Sequence, residues 1–398
     1  MIKVYSKALK QSIHVSRVIG TLTGDATGPV VIFTAGIHGN EPAGVFALNN
    51  VFSVPEKISS SLKGKVYGIS GNLGALQKGR RYQSEDLNRI WTSKYTGLLE
   101  HNKLEPLNED VKEQIELYET IKVILSETRG PYYFIDLHTT SGNTIPFAIL
   151  NDTILNRKFT MQYPLPLILG IEEYLQGAFL SYINEFGYVA FGYESGQHNS
   201  IKAIACHESF IYVTLFFMGV HNDKVLFENH YKILAEASRG MDRFYEIVYE
   251  YKLKKNSEFK MKPGFENFQH VRKNEILACE QGNEIKSPRK GQIFMPLYQQ
   301  LGDDGFFLIR NIPYYLLALS GMLRKIKLDN LLPLLPGVNW QSAQKDTLVI
   351  NSKIARFMAK QFFHLLGYRS YHTDKKHLII KKRDTASKNA AYKNETWY

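Results

Sequence analysis

Cysteine is almost missing from this 398-residue sequence: Cys206 and Cys279 are its whole complement. They lack the close spacing of a cysteine-based metal or redox motif, so a disulfide framework is not expected, which fits a reducing compartment. Long hydrophobic runs are missing too. The longest, FIYVTLFFMGV at 210–220, is too short to span a bilayer, and the opening MIKVYSKALKQS carries no apolar core of a secretory signal. A soluble, cytoplasmic chain with no membrane partner is the expectation. Acidic residues are in deficit, 38 Asp+Glu against 49 Lys+Arg, for a formal charge of +11. Such an excess draws nucleic acid, acidic membrane or a small anionic substrate. Part of it, however, sits in DKKHLIIKKRD and SKNAAYKNETWY near the C-terminus, as a solvated face or frayed tail would. No nucleic-acid motif accompanies the charge, and no nucleic-acid partner is expected.

What is present is ample core material. Hydrophobic residues make up 44% and charged residues 22%, as in ordinary globular proteins, and the length exceeds a typical single domain. VVIFTA at 30–35 reads as a buried strand that stops at the glycine of GIHGNEPAG and leads into a helix, EPAGVFALNNVF. An apolar strand ending in polar residues recurs in GKVYGISGN at 64–72, PYYFIDLHTTSG at 131–142 and GYVAFGYESGQ at 187–197. Between them, residues 109–128 carry Val111, Ile115, Tyr118, Ile121 and Leu125 at helical spacing. This alternation predicts an α/β fold: a mixed, mainly parallel sheet flanked by helices, with ligands collecting at the carboxyl ends of the strands.

Three units are expected. Residues 1–225 form the catalytic part. Residues 226–311 hold two helical segments over 226–253, a lysine-rich link (KLKKNSEFKMKPG), and then short strands cornered by Gly282, Pro288, Gly291, Pro296 and Gly302. Residues 312–398 form an extension of mixed structure whose role stays open. In it, IPYYLLALSGMLRKI and SKIARFMAKQFFHLLG read as helices and KKHLIIKKR as a strand.

In GIHGNEPAG, His38 and Glu41 lie three residues apart in a glycine-bounded turn at a strand end, so an imidazole and a carboxylate can converge on one cation. A third ligand comes from Asp136-Leu137-His138, where strand alternation puts Asp136 and His138 on one side with His138 nearer the strand end. Two histidines, a carboxylate and an open position form the ligand set of catalytic zinc. Asp136 is then positioned to orient the His138 imidazole. Zinc lowers the pKa of its water, but a base must take the proton and return it to a leaving nitrogen; Glu194, at the end of GYVAFGY, is the candidate. In GRRYQSEDLNR, Arg81 suits a developing oxyanion, while Asn88 and Arg89 suit a substrate carboxylate.

In their order, the motifs GIHGNEPAG, SGNLGALQKG, RRYQSEDLNR, DLHTTSG and YESGQ, over roughly 28–310, resemble the succinylglutamate desuccinylase/aspartoacylase group within the zinc carboxypeptidase superfamily. The resemblance implies one zinc ion per chain on His38, Glu41 and His138, a glutamate base at Glu194, a carbonyl-polarising Arg81, and carboxylate recognition by Asn88 and Arg89. It also implies that VRKNEILACEQGNEIKSPRKGQIFMPLYQQLGDDGFF is a small β domain, similar to a barrel-sandwich carrier domain but without its modified lysine, that shields the active site. Two departures stand out. Aspartoacylases carry an arginine shortly before the catalytic glutamate to bind the acyl-side carboxylate, and YINEFGYVAFGY has none, which argues against N-acetylaspartate. Where the family continues with Gly-Pro-Gln, this chain has Ser195-Gly196-Gln197-His198; His198 is either a pocket residue or an ordinary loop histidine.

The function expected is zinc-dependent hydrolysis of the amide bond in a small anionic N-acyl amino acid. Two alternatives are a metallocarboxypeptidase acting on a peptide C-terminus and a non-catalytic zinc-binding regulatory protein. A β domain capping the cleft would exclude long peptides, and loss of a ligand or base would mark the regulatory protein; none is missing. Oligomeric state is not legible, a homo-oligomer being among the options.

Overall fold

The computed structural model describes residues 1–59, 62–254, 258–351, 360–373 and 377–398. A hairpin of β1 (Ile2–Ser6) and β2 (Gln11–Val15) precedes an eleven-stranded mixed sheet. The sheet takes β3 (Val18–Thr23), β4 (Asp25–Ala35), β5 (Lys63–Ser70), β6 (Tyr132–Thr140), β7 (Phe147–Leu150), β8 (Leu167–Leu169), β9 (Val189–Gln197) and β10 (Phe244–Lys252) from the first two-thirds of the chain. Its centre is parallel: β5, β4, β6 and β9 run side by side in one direction, and β7 turns antiparallel against β9. The four strands expected from the motifs are thus neighbours, and the helices Ala43–Phe52 and Glu109–Glu127 follow where the periodicity put them.

Both faces of these central strands are buried, which is why they read as near-continuous apolar runs. Val31, Phe33, Tyr133, Ile135, Val189 and Phe191 face one core with the helices Ala43–Phe52 and Ile201–Phe217. Their alternates Val30, Ile32, Phe134 and Ala190 face a second core with Glu109–Glu127 and Phe179–Asn184. Each large apolar side chain so buried contributes about 1.5–3 kcal/mol. On Glu109–Glu127 the fully buried stripe is Val111, Gln114, Leu117, Ile121 and Ile124, with Ile115, Tyr118 and Leu125 at its margin. The stripe is turned about one residue from the expected one because Asp110 is also drawn inside.

Two helical segments were expected over 226–253, and here the expectation is corrected. Lys224–Ala237 is a helix, but FYEIVYEYK forms β10. Its alternating aromatic and β-branched residues suit a pleated surface, and β10 joins β8 in parallel and a later strand antiparallel. The sheet therefore runs on without a break into the second part of the chain, through β12 (His270–Val271), β15 (Gly291–Phe294) and β16 (Asp304–Asn311). A three-stranded sheet of β11 (Phe259–Met261), β13 (Ile276–Glu280) and β14 (Asn283–Lys286) packs on this edge around Met261, Leu277, Ile293, Phe306 and Leu308. The β13–β14 turn is the two-residue Gln281-Gly282, both at positive φ (50° and 78°), as a hairpin twist demands. Within the lysine-rich link, residues 255–257 lie outside the described residues.

The extension has its own four-stranded antiparallel sheet and core. The expected helix is present as Tyr314–Lys325, and KKHLIIKKR supplies the strand His377–Lys382. Of the second expected helix, Lys360–Leu365 is helical and 352–359 lie outside the described residues. Among the contacts that tie the extension to the main sheet, two are deeply buried. Buried Asp152, just past β7, receives Arg157 (2.5 Å), Arg324 (3.0 Å) and Arg369 (2.5 Å), so its carboxyl is held well below the usual range by the three guanidinium groups against the opposing effect of burial. At the amino ends of β6 and β9, the buried Tyr392 hydroxyl donates to the Tyr132 carbonyl and accepts from the Val189 N–H (2.9 Å).

Candidate active site

β4, β6 and β9 deliver their carboxyl ends to one place. After β4 the chain turns tightly, the Glu41 N–H donating to the His38 carbonyl at 3.1 Å, so both side chains face the same way. Gly39 makes the turn fit: a Cβ there would lie 2.0 Å from the Ala75 carbonyl carbon. His138 arrives near the end of β6, and Glu194 stands beside it in register on β9.

His38, Glu41 and His138 are all buried, and one ligand atom from each lies within 4.8 Å of the others. Glu41 bridges the pair, its Oε1 2.9 Å from His38 Nδ1 and its Oε2 3.2 Å from His138 Nδ1, and Oε2 also accepts from the Thr139 N–H at 2.9 Å. Burial favours a neutral Glu41, but the two imidazoles outweigh it and hold the carboxyl well below its ordinary value. Each histidine turns its other nitrogen to an aspartate: His138 Nε2 lies 2.7 Å from Asp136, and His38 Nε2 lies 3.1 Å from Asp86. Asp136 is in turn fixed by the Thr34 hydroxyl at 2.7 Å. Against the cost of burial, Asp136 and Glu41 raise the His138 imidazole well above its ordinary pKa. An Nδ1 pair on a shared carboxylate, with each Nε2 oriented by a carboxylate, is an arrangement a tetrahedral cation fits.

Asp86 has no role in the sequence reading although it lies inside RRYQSEDLNR. Beyond His38 it receives Arg81 (3.0 and 3.1 Å) and the Asn88 N–H (2.8 Å). Arg81 is thereby aimed past the triad, 3.7 Å from Glu41. The loop itself hangs on buried Asp110, which accepts from the backbone N–H groups of Gln83 (3.1 Å) and Glu85 (2.9 Å). An acidic residue in the first turn of an amphipathic helix looks like a solvated one, which is why this anchor escapes a pattern search.

The expected carboxylate clamp is not open. Asn88 Oδ1 accepts from the Phe179 N–H at 2.8 Å. Arg89 faces Asp303, at the end of the β15–β16 connection, and Asp304, the first residue of β16, at 3.7 and 3.8 Å. His198 lines the pocket, with Nδ1 2.8 Å from the Thr139 hydroxyl and Nε2 3.2 Å from Gln299, which also accepts from Asn40 at 2.9 Å. Glu194 is nearly solvent-free, and its Oε2 has no hydrogen-bond partner. Burial, with Glu41 and Asp136 nearby, pushes its carboxyl up to about 8. Together these groups line a cavity of about 140 Å³ roofed by Met295, Pro296 and Leu297.

Over this same stretch, residues 27–205 match the succinylglutamate desuccinylase/aspartoacylase catalytic domain. That segment belongs to this family. Among curated members, the succinylglutamate desuccinylase of Photorhabdus laumondii is 30% identical over 139 residues, 33% of this chain and 40% of that protein. The one from Yersinia pseudotuberculosis is 37% identical over 65 residues, 16% of this chain and 20% of that protein. The aligned part thus spans less than half of either relative. Of solved desuccinylase/aspartoacylase structures, one from Rhodobacter sphaeroides superposes with TM-score 0.53 at 19% identity, covering 73% of this chain and 88% of that one. A product-bound ectoine utilization protein from Ruegeria pomeroyi gives TM-score 0.53 at 15% identity, with 74% and 88% covered. These likenesses establish the family's mixed α/β fold. No helix among the described residues is long and apolar enough to cross a membrane.

Proposed function

We propose that this chain is a zinc-dependent amidohydrolase that cleaves the amide bond of a small N-acyl amino acid, with His38, Glu41 and His138 holding one zinc ion and Glu194 as general base. The observation that carries this reading is the buried triad with an unpartnered carboxylate oxygen of Glu194 beside it. When bound, zinc would supply positive charge that acidifies water and polarises an amide carbonyl. Glu194 would accept the proton of the attacking water and hand it to the departing nitrogen as the C–O bond forms and the C–N bond breaks. Its raised proton affinity suits both halves of that transfer. Arg81, braced by Asp86, would face the oxyanion. Asp86 and Asp136 would keep each imidazole in register, and His198 would brace the pocket wall through Gln299. Arg89 would reach a substrate carboxylate by exchanging Asp303 and Asp304 for it.

We further read β11–β16 as the family's barrel-sandwich lobe, acting as a lid. Its closeness to the cavity favours a small amide over a peptide C-terminus, and retention of every ligand and the base favours an enzyme over a regulatory scaffold. The unpaired state of both cysteines suits a reducing cytoplasm. The test is zinc content together with amine release from N-acetyl, N-formyl and N-succinyl amino acids; protein that neither binds zinc nor cleaves any of them overturns the reading.

A further inference from the structure

Along β9, the side chains that share the Glu194 face are unusually small. Gly192 and Ala190 follow it at alternate positions, and the cavity runs past both. On antiparallel β7, Ile149 stands opposite Gly192 and lines the cavity. The other wall is the helix Phe179–Asn184 and the turn before it, where Leu180 and Leu175 line the cavity with Ile171. Leu180 packs over Gly192, and the cavity continues down the strand past it to Ala190. From Glu194 to Ala190 is four residues, about 13 Å of extended chain.

Charge is distributed unevenly along it. Arg81 and Arg89 lie at the catalytic end, and no lysine or arginine lines the channel beyond them among the described residues. At the Ala190 end the charged group is a carboxylate. Glu172 lines the cavity there, its Oε1 accepting from the Asp152 N–H at 3.3 Å, one residue past Asn151 of the channel wall. Its Oε2 is buried without a partner. Arg369 and Arg383 lie 3.7 and 3.5 Å from Oε1 but do not line the cavity. A dicarboxylic arm such as succinyl would bring a second carboxylate among the apolar side chains of the wall, beside Glu172, while Arg369 and Arg383 are engaged with Glu172 from outside the cavity; a buried charge without a direct partner is strongly disfavoured.

Resting on the amidohydrolase reading above, we infer that the channel selects a substrate with an uncharged apolar arm and rejects one ending in a carboxylate. The cavity of about 140 Å³, its catalytic end included, is close to the roughly 150 Å³ of an apolar cavity that accepts benzene, so a ligand of about six carbons, its reacting carbon counted, fills it. The arm can be an aliphatic acyl chain or the side chain of an apolar amino acid.

Calorimetric titration of the zinc-loaded protein with hexanoate, acetate and succinate tests this without turnover. Each buried methylene strengthens binding about fourfold. Hexanoate should therefore bind about two orders of magnitude more tightly than acetate, and succinate no more tightly than acetate. Ala190→Leu should erase the hexanoate advantage. The milder Gly192→Ala, whose added carbon would lie 3.0 Å from Leu180 Cδ1, should reduce it. Succinate binding more tightly than hexanoate, or an unchanged ratio in Ala190→Leu, overturns the inference. Hydrolysis of N-hexanoylglycine against N-acetyl-leucine then tells which arm the channel takes, either preference supporting it. Hexanoate binding without cleavage of any amide sinks the amidohydrolase reading and leaves the channel standing; cleavage with N-succinylglutamate preferred does the reverse.

Discussion

The two ends of β6 and β9 are built on opposite terms. At the amino ends, Tyr392 satisfies the Tyr132 carbonyl and the Val189 N–H, and the Trp397 indole donates to the Tyr133 hydroxyl at 3.1 Å. At the carboxyl ends, three acidic groups crowd two imidazoles and Glu194 keeps a buried oxygen with no partner. One end satisfies its backbone groups and the other leaves a buried carboxylate oxygen unsatisfied, as expected where a polar group is held ready for a ligand.

The sharpest way to break this contrast is at Glu194. Glu194→Gln should cut amide cleavage by about 10²–10⁴-fold while zinc content, read by mass spectrometry, stays near one per chain. An active variant would remove the base. The mirror experiment is Tyr392→Ala, which empties a fully buried aromatic site and strands two backbone groups. It should cost about 3–5 kcal/mol in denaturant unfolding, and a loss under about 1 kcal/mol would show that the tail does not brace the strands. Smaller effects come from Asp86→Asn and Asp136→Asn, each expected to weaken zinc binding about 10–100-fold in a chelator competition; undiminished affinity in both would mean that neither aspartate orients its imidazole.

The remaining effect is a pH slope. In metal-free protein, the Glu194 pKa is raised from about 4.5 to about 8 by burial, so the folded state holds a proton that the unfolded chain releases. Its contribution to stability is complete below pH 4.5 and is lost as pH rises toward 8. The melting temperature of the metal-free wild type should fall across that window relative to Glu194→Gln. Parallel curves for the two proteins would show that Glu194 does not titrate there.

Legibility divides along similar lines. The strands carrying the site were readable because both their faces are buried, so each is an apolar run with a polar end. The strand β10 was misread because an alternating aromatic segment next to a helix imitates helical amphipathicity until its sheet neighbours are known. Asp86 and Asp110 were passed over because nothing local separates a buried acidic residue from a solvated one. Arg89 was put forward for a substrate carboxylate from its residue type; that it faces Asp303 and Asp304 depends on residues more than two hundred positions further on.

By itself, the sequence determined the candidate triad His38, Glu41 and His138, since a tight turn and an alternating strand aim side chains through local geometry alone. It also determined that a glutamate follows the neighbouring strand. Only the tertiary structure decided that Asp86 orients the His38 imidazole, where Arg89 finds its partners, and that the cavity runs past Gly192 and Ala190 to Glu172. Those features depend on which distant segments pack side by side, and packing of that kind leaves no spacing in the sequence to read.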